Sequence, residues 1–134
     1  MNESLTNVFG PVIHSYSRAQ AIGDGVLHDV TDISRDYGIL LPTAIASHAW
    51  SSAVAWPNRE TASRYETERT RTVLAHARNA LLRAKRLGLR GLQEFAFTPT
   101  PGVDGETSEI TLGIEIGPGD AAEPVLTITA AADR

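Results

Sequence analysis

Residues 63–88, SRYETERTRTVLAHARNALLRAKRLG, decide the fold. Ser63 followed by Glu66 has capping-box spacing, in which each side chain satisfies a backbone N–H of the other residue. Gly88 is a natural stop, and Lys85 and Arg86 place positive charge at the negative end of the helix dipole. At the helical period Val73, Ala77, Ala80, Ala84 and Leu87 share one face, flanked by Leu74 and Leu81. A helix over residues 64–87 is about 36 Å long at the usual rise, enough to span a small domain. Its alanines let a sheet come close.

Downstream of Gly88 the period changes from helical to alternating. Residues 92–98, 108–116 and 124–130 read as strands. Ile110, Leu112, Ile114 and Ile116 alternate with Thr111, Gly113 and Glu115, so one face of the middle strand is buried. Pro99-Thr100-Pro101-Gly102, Asp104-Gly105 and Gly117-Pro118-Gly119-Asp120 are turn chemistry. Upstream, residues 1–10 read as a loose start and residues 12–16 as a short extended segment. Ser17 caps a short helix over 18–22 that ends at Gly23-Asp24-Gly25, and residues 26–30 lean towards strand. Thr31 or Asp29 caps a second short helix through Tyr37, stopped by Gly38. A third helix is expected over 43–56, with Ile45, Ala49, Ser52, Ala53 and Trp56 on one side and Pro57 closing it. Of Trp50 and Trp56, one must lie off the centre of that stripe, half exposed or against another element. Helices followed by a meander make an α+β fold. The expectation is a single domain, 1–134, in which N-terminal short helices and the long helix pack on a small antiparallel sheet.

The chain has 134 residues, 42% hydrophobic and 21% charged, ordinary values for a globular protein. It contains no cysteine, which excludes disulfides, thiolate metal sites and a cysteine nucleophile. No apolar run approaches the roughly 20 residues of a membrane span, and no basic-then-apolar leader opens the sequence, so a cytoplasmic location is expected. The net charge of −4 conceals a segregation. Residues 59–90 carry nine basic and three acidic side chains, whereas residues 91–134 carry one and eight. Partial neutralisation of the basic helix by the acidic C-terminal segment is the expected consequence.

Motifs that carry chemistry are sparse. His14, His28, His48 and His76 are scattered without a metal-ligand spacing, and Ser15, Ser17, Ser51 and Ser52 lack the glycines of a nucleophile elbow. No metal, cofactor or catalytic residue is assigned. The densest titratable group is Asp24, His28, Asp29, Asp32 and Asp36. A small hydrolase or nucleotide-processing enzyme would need Asp24, His28, Asp29 and Asp32 to converge in one cleft. Along the long helix Arg64, Arg71, Arg78 and Lys85 recur every seven residues, and Leu82 lies among Arg78, Lys85 and Arg86 on the outward side. An outward leucine in a basic row is the candidate partner-binding surface. A nucleic-acid-binding module using the same row is a further alternative, opposed by its lack of stacking aromatics and by the chain's overall acidity. A homodimer through Leu74, Leu81 and Leu82 is also compatible. Tyr16, Arg18, Gln20 and Asp24 form either a hydrogen-bond network or a binding surface.

Residues 12–31, VIHSYSRAQAIGDGVLHDVT, resemble the opening signature of a family of small bacterial, phage and plasmid proteins that typically read VIHSYTRAQAIADGVLVDVS. AVAW at 53–56 and GPGDAAEPVLTI at 117–128 are similar to that family's middle and closing motifs. Gly23 and His28 depart from it, since small or aliphatic residues are usual there. The family is a domain of unknown function, so the resemblance transfers no catalytic residue. It implies a setting instead: accessory genes of mobile elements, many of which encode small proteins that interfere with host machinery. The expected function is therefore non-enzymatic binding of a protein or ribonucleoprotein, most concretely by a counter-defence inhibitor of the anti-CRISPR or anti-restriction type.

Overall fold

Ala and Leu spacing without an internal Gly or Pro carries one continuous helix, Ala62–Leu87, through 26 residues of the computed structural model, which describes residues 16–134. The elements in order are α1 (Arg18–Gly23), β1 (Leu27–Asp29), α2 (Thr31–Arg35), β2 (Thr43–Ala46), α3 (Ser47–Ala53), α4 (Ala62–Leu87), β3 (Gln93–Phe97), β4 (Ile110–Pro118) and β5 (Pro124–Thr129). The loose start at 1–10 and the extended segment expected up to residue 15 lie outside the described residues.

Gly88 ends α4 as expected. It takes a left-handed φ of 68°, and Leu89 N–H closes back on Ala84 O at 2.9 Å. The start differs. The helix begins at Ala62 with no side-chain cap, so Ser63 lies inside its first turn. Glu66 accepts instead from Trp56 N–H at 3.0 Å, which ties the helix to the segment entering it. The capping box is thus replaced by a tertiary contact.

The five strands run in the order β1-β2-β5-β4-β3. β3, β4 and β5 form the expected antiparallel meander, but β2 lies parallel to β5, and β1 pairs antiparallel to β2. The sheet is mixed, not purely antiparallel. β2 comes from the stretch expected to open the third helix, which shrinks to α3. All four residues of β2 are buried, and β-branched Thr43 and Ile45 suit a strand enclosed on both sides. Trp50 and Trp56 are both half-buried, stacked on His28 and Tyr65 respectively.

Pairing in register puts His28, Ile45, Ile128 and Ile114 in one row on one face of the sheet. That face, with Leu112 and Leu126, packs against Val73, Leu74 and Ala77 of α4 and Ala49 and Ala53 of α3. Fully burying each large aliphatic side chain contributes about 1.5–3 kcal/mol, so this seam supplies most of the cohesion. The opposite face carries Thr127, which Arg18 reaches from α1 with a 2.8 Å bond.

Burial along α4 stops early. Its fully buried residues are Ala62, Arg69, Thr70, Val73, Leu74 and Ala77. Ala80 and Ala84 are half-buried, and Leu87, expected on the buried face, is exposed. Over the last ten residues, about 15 Å of helix, only Ala80, Leu81 and Ala84 keep partial burial, Ala80 and Leu81 of them against the core.

Candidate functional site

A groove opens beside the C-terminal half of α4. Its walls are the C-terminal half of α4 and residues 36–41, which connect α2 to β2, and Ile116 of β4 contributes from the sheet. The volume is about 840 Å³. Leu40, Leu81, Leu82, Leu89 and Ile116 give it an aliphatic lining, and Arg78 and Lys85 stand on the helix side. An adjoining hollow of about 300 Å³ shares Leu81, Ala84, Leu89 and Ile116 and extends towards Gln93. Leu40 is 80% exposed, Ile116 52%, Leu82 47% and Leu89 44%. Four large aliphatic side chains left to water around one depression form a contiguous patch of the kind that marks an interaction surface.

The arginine row divides in two. Arg64 lies 3.6 Å from Glu68, and Arg71 donates to Asp36 at 3.0 Å. The Asp36 and Tyr37 hydrogen bonds hold the Arg71 guanidinium above its ordinary pKa. Arg78, Lys85 and Arg86 make no ion pair among the described residues. The ion pairs of α4 go to α4 itself and to the residue after α2, not to the acidic C-terminal strands. There the acids find other partners: Glu94 pairs with Arg134, while Asp120 and Asp133 accept backbone N–H groups. Leu82 is outward as the sequence indicates. Leu74 is fully buried, so the apolar edge considered for a homodimer reduces to Leu81 and Leu82.

The Asp24, His28, Asp29 and Asp32 set does not converge. His28 stacks on Trp50 at 4.0 Å between ring centroids, on the core face of the sheet, where burial lowers its pKa. Asp29, the next residue in β1, points to the other face and accepts from Thr31 N–H at 3.0 Å. Asp24 accepts from the Tyr16 hydroxyl, and Asp32 is an almost fully exposed partner of Arg35. Strand alternation alone separates the histidine from its neighbouring aspartate. Among the described residues no three His, Asp or Glu side chains come together as a metal site.

Tyr16, Gln20 and Asp24 are engaged in local bonds, whereas Arg18 reaches residues near the other end of the chain. Ser17 and Gln20 form a reciprocal capping box, with Ser17 N–H donating to Gln20 Oε1 at 2.9 Å. Arg18 donates to Thr127 Oγ1 and, at 3.0 Å, to Leu126 O, fastening α1 across β5. Gly117 and Pro118, expected in a turn, extend β4, and the shorter turn at residues 119–123 then caps the same helix. Asp120 accepts from Arg18 N–H at 2.8 Å and Ala19 N–H at 3.0 Å, which holds its carboxyl below the usual range. The opening and closing motifs of the sequence therefore meet.

Two further anchors were not legible in the sequence. Arg69, one of the nine basic side chains of residues 59–90, is 3% exposed and donates to the carbonyls of Val54 (3.0 Å), Ser52 (3.3 Å) and Pro101. Burial pulls its pKa down against the fields of Glu106 and Glu66. Asp133 accepts from Ala130, His48 and Ala49 N–H and from the His48 ring, serving as the N-cap that α3 lacks in its own sequence. Burial alone would raise its pKa, but these donors outweigh it and hold the carboxyl low. Both residues find their partners at distant sequence positions, so no local signal marks them.

No helix is long and apolar enough to cross a membrane among the described residues. Comparison with family models, with curated proteins and with solved structures gives no match.

Proposed function

We propose that this chain is a non-catalytic accessory protein that binds a protein or ribonucleoprotein through the C-terminal half of α4. The single observation that carries this reading is the pairing of an open aliphatic groove with Arg78 and Lys85, cations without an ion-pair partner among the described residues. Leu82 and Arg86 extend the same surface. A surface of this composition gains free energy by covering its leucines and by meeting negative charge, and neither gain needs a bond-making step. The separation of His28 from Asp29, with Asp24 and Asp32 engaged elsewhere, removes the support for the hydrolase alternative.

The most concrete form of the proposal is a cytoplasmic counter-defence inhibitor of the anti-CRISPR or anti-restriction type. Its support is the resemblance of residues 12–31 to proteins of mobile elements. The test is affinity purification from host lysate with the wild-type chain and with Arg78→Glu/Lys85→Glu as matched baits. A stoichiometric partner retained by the first and lost by the second is expected. A bait with no such partner, or one that keeps it after charge reversal, overturns the reading.

A further inference from the structure

Three kinds of occupant compete for the groove, and charge separates them. From residue 69 to residue 93 the sequence contains no acidic side chain, so Arg78, Arg83, Lys85 and Arg86 make the C-terminal end of α4 cationic, and Arg90 follows just after it. A two-fold dimer built on this face would bring the same cations against themselves, and like charges across an interface oppose association. Nucleic acid would satisfy the cations but leave Leu40, Leu81, Leu82, Leu89 and Ile116 facing phosphate and sugar, with no gain from their burial.

A protein segment with apolar side chains on one side and carboxylates on its flanks answers both halves of the surface. We propose that the groove receives an acidic amphipathic helix of the partner. Its apolar residues, one helical turn apart, fill the space between α4 and residues 36–41, and its Asp and Glu side chains meet Arg78 and Lys85. The exposed run of α4 after Ala77 is about three turns long, so the recognised segment has a comparable length. This inference rests on the binding function proposed above and specifies the chemistry of the partner.

The probe is a synthetic fluorescein-labelled helix of about 18 residues with leucine at helical spacing and glutamate elsewhere. Two controls share its length: one replaces every glutamate by lysine, the other scrambles the leucine spacing. Binding to the full chain is read by fluorescence anisotropy at physiological salt. The glutamate helix is expected to bind at least about tenfold more tightly than either control, a difference worth 1.4 kcal/mol. Arg78→Glu/Lys85→Glu should reverse the preference, so that the lysine helix becomes the better ligand. Leu82→Asp should weaken the glutamate helix by about tenfold or more, with circular dichroism reporting that both variants remain folded.

Equal binding of the glutamate helix and its scrambled form overturns the inference, as does a preference that survives charge reversal. Tighter binding of a single-stranded oligonucleotide than of the glutamate helix assigns the groove to nucleic acid instead. A dimer seen by light scattering and dissolved by Leu82→Asp assigns it to a second copy. If the glutamate helix fails while a lysate partner still depends on Arg78 and Lys85, this inference falls and the proposed function stands.

Discussion

Arg71 Nη1 donates to Asp36 Oδ2 at 3.0 Å, fixing the middle of α4 to the residue that follows α2. One heptad further along, Arg78 has no counterpart to Asp36 among the described residues, and the groove opens there. The contact therefore marks the end of the part of α4 that the protein's own charges hold down. Both side chains are well exposed, so solvent screens the pair. Arg71→Ala should lower the melting temperature by less than about 2 °C, as expected for an exposed pair in a domain this size. Calorimetry at low and high salt checks this, and the difference between wild type and variant should shrink as salt rises.

Arg69 behaves differently despite belonging to the same basic stretch. Its guanidinium satisfies three backbone carbonyls from α3, the turn after it and the β3–β4 connection. Arg69→Ala leaves these carbonyls unpaired, at a cost of about 3 kcal/mol or more in urea unfolding. Arg69→Lys should recover only part of the loss, because an ammonium lacks the planar fork that reaches all three acceptors.

Asp133 gives the fold an acid-sensitive clasp. Its side chain is only 5% exposed, and its pKa is lower in the folded state than the ordinary 3.8. As pH falls, the unfolded chain binds the proton first. The stabilisation is therefore complete above the unfolded pKa and is lost as pH drops through the lower folded value. Urea midpoints should fall more steeply below about pH 4 in the wild type than in Asp133→Asn. At neutral pH the same substitution should cost about 1 kcal/mol through the weakened cap of α3.

Gly102 and Gly113 both sit where a side chain would collide, with different consequences. A Cβ at Gly102 would strike the backbone carbonyl of Glu106, which has no rotamer to yield. A Cβ at Gly113 would come within 2.6 Å of Arg134 Nη2 and 2.7 Å of Leu92 Cδ1, both ends of flexible side chains. Gly102→Ala should therefore destabilise by about 2 kcal/mol or more, and Gly113→Ala by about half that or less. Parallel denaturant titrations rank the two, and equal losses would contradict the distinction.

Leu40 and Leu82 line the groove while remaining open to water. Leu40→Asp and Leu82→Asp should each change folding stability by no more than about 0.5 kcal/mol, since neither closes a core cavity. Both should reduce the fluorescence of an added hydrophobic dye such as ANS, which reports accessible apolar surface.

Local physics made several elements legible in the sequence. A helical run of Ala and Leu ended by Gly88, alternation from Ile110 to Ile116 and a Pro-Gly turn before Pro124 each depend on neighbouring residues alone. The Ser17 cap belongs with them. The outward position of Leu82 within the basic row is legible for the same reason, because the helical period fixes which side faces away.

Tertiary structure decided the rest. Thr43–Ala46 became a strand because β5 offers it a parallel partner from the far end of the chain, overriding a helix-compatible pattern. Partners distant in sequence also drew Arg69 into the core and set Asp133 at the start of α3. The groove itself could not be read from periodicity. It lies where the C-terminal half of α4, residues 36–41 and Ile116 of β4 come near one another without closing, and gaps between elements are fixed only when the elements pack.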